Sequence, residues 1–344
     1  MKIRYFFIAI PVLLYLNNSV YAQSKDMFIS KLTAINAASY TDVIFVGLKD
    51  TALVSTFSGR IAFRIKGSEK EKVIANLNDE IYSLAFNSSK HEIAASTLEK
   101  GIIILKKQTG NILKVLKLKT TWSINIFYSD NNQYLLTQDQ KGNRYIWDAT
   151  KQYQEIILSA KVPPGRIIKM DSEGLMTIAT PKKITIWDFN KELVVKEMEV
   201  QLVRFGDMDN QGNILSVDFN QCAKFNTVSK RNEFVIKHPN WLRDISDYPN
   251  YENNLKQTPE DFTQDGLLIM NGYSMQLTMV RFAKDKIYTA SIDRSIRVWN
   301  KDTGLLIKSL TGHKATVNKI RVNQAETQIV SIDLKGGIKF WDVV

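Results

Sequence analysis

The chain has 344 residues, of which 44% are hydrophobic and 24% charged, with a formal net charge of +11. This composition excludes wholesale disorder. The single cysteine, Cys222, excludes an intramolecular disulfide, and His91, His238 and His313 are too far apart in sequence to give a metal-ligand spacing.

The chain opens with MKIRYFFIAIPVLLYLNNSVYAQ: Lys2 and Arg4, an apolar run from Tyr5 to Leu16, then Val20 and Ala22 as small cleavage-site residues. This pattern predicts a secretory signal peptide over 1–22, removed after Ala22. The alternative is an uncleaved anchor helix, but the run is short for a span of roughly 20 residues. No cysteine lies near residue 22, so a lipid anchor is not expected. The expectation is an exported protein, periplasmic or secreted, with residues 23–344 forming a single domain.

From residue 26 the chain reads as short strands. The first is DMFISKLTAI (26–35). EKVIANL, EIYSLAF, HEIAAST and GIIILKK follow at 71–77, 80–86, 91–97 and 101–107, divided by turn residues. Alternation is blurred because both faces carry apolar residues, as in strands packed on both sides. Similar endings recur: QDQKGNRYIWDAT (138–150), TPKKITIWDFNKE (180–192), TASIDRSIRVWNKDTG (289–304) and VSIDLKGGIKFWDVV (330–344). With Arg64, Lys106, Trp147, Trp187, Phe225, Trp299 and Trp341 as equivalent positions, the steps are 42, 41, 40, 38, 74 and 42. A period near 40–45 ending in Trp-Asp is the signature of propeller blades.

These residues resemble the WD-repeat (WD40) family. The similarity runs over about residues 26–344 and is strongest in the last two repeats, where GHKATVNKIRVNQAETQIVSIDLKGGIKFWD (312–342) follows the family pattern without a gap. The resemblance implies an all-β, seven-bladed propeller. Each period is an outer strand followed by three inner ones, so the last blade lacks its outer strand, and the strand at 26–35 is expected to close the ring there. Eight blades, one degenerate, is the alternative, because the step from Phe225 to Trp299 exceeds one blade by roughly 33 residues. In that family a His, a Ser or Thr, an Asp and the Trp form a structural hydrogen-bonded tetrad. The resemblance places His313, Ser331 and Trp341 in the last repeat, with Lys335 at the Asp position. It places Thr289, Asp293 and Trp299 in the one before, with Asn271 at the His position. Thr137 and Thr177 keep the spacing to Trp147 and Trp187. On this reading no tetrad is complete.

The long step is read as an insertion at about 237–266, with Trp241, Tyr248, Tyr251 and Phe262, and a net charge of −3 in an otherwise basic chain. If EFVIK (233–237) is an outer strand, the insertion emerges on the face that WD-repeat proteins use for partners. If GLLIMN (266–271) is that strand, it emerges on the opposite face. Trp241, Tyr248 and Tyr251 are candidate protein-binding residues, since such side chains anchor interfaces. The competing view is that they cover the blades beside them.

Lys100, Lys106, Lys107, Lys114, Lys117 and Lys119 cluster in sequence. No aromatic platform accompanies them, so nucleic acid is not expected; contact with a membrane surface is the weaker alternative to a solvated strand face. There is no nucleophile elbow, P-loop or dinucleotide motif. The expected function is a non-enzymatic protein-binding scaffold of the cell envelope, a monomeric ring without a cofactor. The alternative is an enzyme or carbohydrate-binding propeller using its central channel.

Overall fold

The computed structural model describes residues 39–47, 50–119, 122–123, 125–238, 240–243, 259–263, 266–271 and 275–343. The expected signal peptide and the strand at 26–35 lie outside the described residues.

Seven antiparallel sheets succeed one another in the order of the sequence. Blade 1 is β1 (Tyr40–Phe45), β2 (Thr51–Thr56), β3 (Arg60–Ile65) and β4 (Lys72–Asn76). Blade 2 is β5 (Ile81–Asn87), β6 (Glu92–Thr97), β7 (Ile102–Lys106) and β8 (Ile112–Leu116). Blade 3 is β9 (Ile126–Tyr128), β10 (Tyr134–Gln138), β11 (Arg144–Asp148) and β12 (Gln154–Ile156). Blade 4 is β13 (Arg166–Met170), β14 (Leu175–Ala179), β15 (Lys183–Asp188) and β16 (Leu193–Glu199). Blade 5 is β17 (Phe205–Met208), β18 (Ile214–Asp218), β19 (Gln221–Asn226) and β20 (Arg231–Lys237). A separate hairpin, β21 (Asn240–Arg243) with β22 (Leu268–Asn271), follows. Blade 6 is β23 (Leu277–Ala283), β24 (Lys286–Ser291), β25 (Ile296–Asn300) and β26 (Leu306–Leu310). Blade 7 is β27 (Val317–Val322), β28 (Gln328–Asp333) and β29 (Ile338–Asp342), and has three strands among the described residues.

Stacking the sheets face to face explains the blurred alternation. The core divides into seven apolar clusters, one at each interface between neighbouring blades. Burial of such side chains contributes about 1.5–3 kcal/mol each. One cluster joins blade 7 to blade 1, with Val330 and Ile332 against Tyr40, Val43 and Ala52, so the ring closes through packing of faces. Polar contacts reinforce this seam. Gln328 Nε2 donates to Asp50 Oδ1 at 2.9 Å, and Lys66 Nζ lies 2.8 Å from Asp342 Oδ1.

A second repeated device runs round the innermost strands. Six of the seven carry a register shift near their start, and in four of these the residue after it binds a backbone N–H of the next blade. Asp42 Oδ2 accepts from Leu84 N at 3.0 Å, Ser83 Oγ from Ile126 N at 3.3 Å, and Asp207 Oδ2 from Phe282 N at 2.8 Å. Met279 Sδ accepts from Ile320 N at 3.3 Å. Each link satisfies an edge N–H that no strand can pair, because the innermost edge faces the axis.

Two expectations about equivalence are corrected, and one open choice is decided. In blade 2 Leu105, not Lys106, is the Trp-equivalent. Leu105 pairs with Ile93 as Trp147 pairs with Leu135, and the outer-strand register shift falls just before it. In blade 4 the hairpin is one residue shorter: Trp187 faces Met176, so Thr177 points to the opposite side of the sheet. The indole N–H of Trp187 accordingly finds no partner among the described residues. Of the two candidate outer strands before the sixth blade, EFVIK is the one that serves. Leu268–Asn271 pairs with β21, whereas β20, which contains EFVIK, pairs with β19 as the fourth strand of blade 5.

Candidate binding surface

A meander of four strands puts the second-to-third turn and the fourth-to-first connection at the same end of the blade. All these segments meet on one side of the ring, here the upper face. Leu77 N donates to Gly59 O, Gln140 N to Trp122 O, Leu277 N to Phe219 O and Leu334 N to Thr316 O, each bond joining a turn to a connection. The insertion joins β20 to β23 and therefore belongs to this face.

The insertion is rooted by a histidine, His238, that takes the position the repeat spacing gave to Asn271. His238 directly follows β20 and is fully buried. Its Nε2 lies 2.7 Å from Thr289 Oγ1 and its Nδ1 3.2 Å from Asp293 Oδ2, while Trp299 Nε1 donates to Thr289 Oγ1 at 2.8 Å. The tetrad of blade 6 is thus complete, with His238 and not Asn271 as its histidine; Asn271 ends β22. In blade 7, His313 Nε2 lies 2.7 Å from Ser331 Oγ and Nδ1 2.8 Å from Asp333 Oδ2, and Trp341 Nε1 donates to Ser331 at 2.7 Å. This tetrad is complete as well. Asp333, not residue 335, supplies the carboxylate, reaching the imidazole from two residues beyond Ser331, whereas Asp293 reaches it from four beyond Thr289. The backbone N–H groups of Lys335 and Gly337 bind the same carboxylate at 2.9 and 2.8 Å.

The carboxylate fixes the proton positions. The ionised Asp293 can only accept, so Nδ1 of the neutral His238 carries the proton and Nε2 accepts from the Thr289 hydroxyl, whose oxygen accepts in turn from the Trp299 indole. Burial holds His238 below its ordinary value of 6.5, which keeps the ring neutral. Burial opposes ionisation of Asp293, but the bond from His238 and the neighbouring Arg297 overcome it and hold the carboxyl below its usual range. In both tetrads the imidazole, hydroxyl and carboxylate are buried, whereas the Trp341 ring is partly exposed.

On the upper face Tyr82, at the start of β5, stacks on Trp122 with ring centroids 4.4 Å apart and planes 20° apart. Phe57, in the turn after β2, meets Tyr82 edge-on at 6.0 Å. All three are partly exposed. Trp122 borders a depression of about 260 Å³ lined by Asn125, Phe127, Gln138, Gln140 and Arg166, among others. Across the ring, Phe219 is 61% and Val203 69% exposed beside the root of the insertion. Of the three candidate binding residues, Trp241 lies on β21 opposite Met270. Tyr248 and Tyr251 lie outside the described residues. The aromatic group Phe57, Tyr82 and Trp122 was not legible in the sequence, because its members are separated by blade boundaries.

The cysteine and the lysine run do not join this surface. Burial pushes the Cys222 thiol up to about 12, which makes it a poor nucleophile at neutral pH. Among the described residues no group of three or more His, Cys, Asp or Glu is placed to hold a metal. The lysine run is dispersed. Lys107 Nζ lies over the Phe86 ring at 5.1 Å, Lys114 Nζ donates to Gln152 O, and Lys119 approaches Glu155 at 3.8 Å.

The comparisons with known proteins agree with this architecture. Residues 304–342 match the model of the WD domain, G-beta repeat. The chain is also 21% identical over 242 residues to F-box/WD repeat-containing protein A of Dictyostelium discoideum, an alignment covering 56% of this chain and 18% of that protein. The chain thus spans less than a fifth of the length of that relative. The molecule is a seven-bladed β-propeller in which the segment made of β26, the outer strand of blade 6, and the three strands of blade 7 is similar to a WD domain repeat.

Proposed function

We propose that the ring is a non-enzymatic scaffold that holds protein partners on its upper face, and that it does so after export to the cell envelope. The observation that carries the scaffold reading is the concentration on one face of a stacked, partly exposed aromatic group and a long insertion flanked by exposed Phe219 and Val203. Aromatic side chains of this kind supply most binding energy at protein interfaces. A rigid ring holds several loops in fixed relation, so one surface forms a composite site. The export reading rests on the N-terminal sequence alone.

The test is affinity capture from envelope extract with the wild type, with Tyr82→Ala/Trp122→Ala, and with Trp241→Ala/Tyr248→Ala/Tyr251→Ala. Loss of a partner at unchanged melting temperature supports the surface. Capture unaffected by either variant overturns it.

A further inference from the structure

Charged groups from five blades converge at the axis of the ring. Asp42 on β1, Arg166 on β13, Asp207 on β17, Arg281 on β23, and Lys319 and Arg321 on β27 all lie on innermost strands. The electrostatic neighbours of Arg281 include Asp207 of blade 5, Arg321 of blade 7, Asp42 of blade 1 and Arg166 of blade 4. Blades 1 and 4 do not adjoin blade 6, so only the axial channel brings these groups within reach of one another.

The two carboxylates are already committed. Asp42 is fully buried and accepts from Val43 N at 2.9 Å, Leu84 N at 3.0 Å, Ser83 Oγ at 3.1 Å and Arg321 Nη2 at 3.0 Å, with Lys319 Nζ at 3.4 Å. Asp207 accepts from Phe282 N. Arg281 is held in place by neutral acceptors, Gly206 O at 2.9 Å and Val280 O at 3.1 Å. Four cations therefore face two carboxylates among the described residues. Burial pushes Arg281 and Lys319 below their ordinary values, with Arg321 adding repulsion to both. Arg166 also lines the depression on the upper face, at the start of β13.

We propose that the axial channel binds a small multivalent oxyanion, of phosphate or polycarboxylate type, against Arg281, Lys319 and Arg321, with Arg166 as a neighbouring cation. A planar guanidinium donates two parallel hydrogen bonds to either chemistry, and Lys319 adds a point charge. The site is independent of the partner-binding reading, since it needs no upper-face aromatic.

The experiment titrates the purified chain with sodium phosphate and, separately, sodium citrate, each against sodium chloride at matched ionic strength. Calorimetry and melting temperature are the readouts. A ligand that binds only the folded state raises the melting temperature with its concentration. The expected result is saturable binding of at least one anion, weakened tenfold or more in Arg281→Gln and unchanged in Lys66→Gln on the outer seam. Response to one probe alone assigns the site to that chemistry. If Arg281→Gln does not fold, Arg166→Gln decides, with an expected weakening of threefold or more. Melting that follows ionic strength alone, or binding equal in the wild type and the folded Arg variant, overturns the proposal.

Discussion

His238 and Asp293 meet at 3.2 Å although 55 residues separate them, and the hairpin β21–β22 is looped out between them. In blade 7, His313 and Ser331 are 18 residues apart; in blade 6, His238 and Thr289 are 51 apart. The difference of 33 residues is the excess length of the irregular step. The insertion enters immediately after the tetrad histidine and rejoins the blade before β23, so it leaves the polar core of blade 6 intact.

Replacing His238 by Ala removes one buried hydrogen-bond partner from each of Thr289 and Asp293 and should cost about 1–3 kcal/mol. His313→Ala should cost a similar amount. A double-mutant cycle of His238→Ala with Asp293→Ala should show coupling above about 0.5 kcal/mol by denaturant unfolding. Additive losses would mean that the contact does not stabilise the fold.

Acid should destabilise the ring in two stages. His238 is neutral in the fold and holds its pKa below 6.5, so below about that pH the unfolded chain binds a proton that the folded chain refuses. Burial works against the ionised forms of Asp42, Asp293 and Asp333. Arg321 and Lys319 in the first case, and His bonds in the other two, outweigh it and hold all three low. Their contribution is present above the ordinary carboxylate range and is lost as pH falls through the folded values. Unfolding free energy should stay level from pH 8 to about 7, decline below about 6.5 through His238, and decline further as pH enters the carboxylate range near 4 and below. His238→Gln should flatten the limb just below 6.5, and parallel curves for the two proteins would refute that assignment.

Gly337→Ala should mimic His313→Ala. A Cβ at this position would lie 2.3 Å from Asp333 Oδ2, the atom that binds His313. The carboxylate must move, and the tetrad of blade 7 opens. The two substitutions combined should lose less than the sum of their separate costs, because either one breaks the same link. Melting of the three variants checks this.

The seam between blades 7 and 1 separates buried from exposed ion pairs. Asp42→Ala strands Arg321 and Lys319 and should cost about 3–5 kcal/mol, the range for breaking a buried pair. Lys66→Ala removes a contact to Asp342, which is 67% exposed on its side chain, and should cost under about 1 kcal/mol. Equal losses by chemical denaturation would contradict this division.

Deleting residues 23–35 tests the expected closing strand. If that segment pairs beside β29, its loss exposes an edge and should lower the melting temperature or cause aggregation. Unchanged melting would assign closure to the packing of Val330 and Ile332 against blade 1 alone.

The sequence by itself determined the kind of strand and narrowed the ring to seven or eight blades. A period near forty, strands apolar on both faces and endings in Trp-Asp leave few other ways to bury so much surface, and each of these signals is local. The tertiary structure decided the partners of the polar residues. Asp333 and Asp293 reach equivalent imidazoles from different offsets, and His238 serves a blade from beyond an insertion, because hydrogen bonding depends on where an atom arrives in space and not on its index in the chain. A hairpin shorter by one residue turned Thr177 away from Trp187 for the same reason. The stacked Tyr82 and Trp122, and the cations of blades 4, 6 and 7, come together only when the ring closes, so no spacing along the chain announces them.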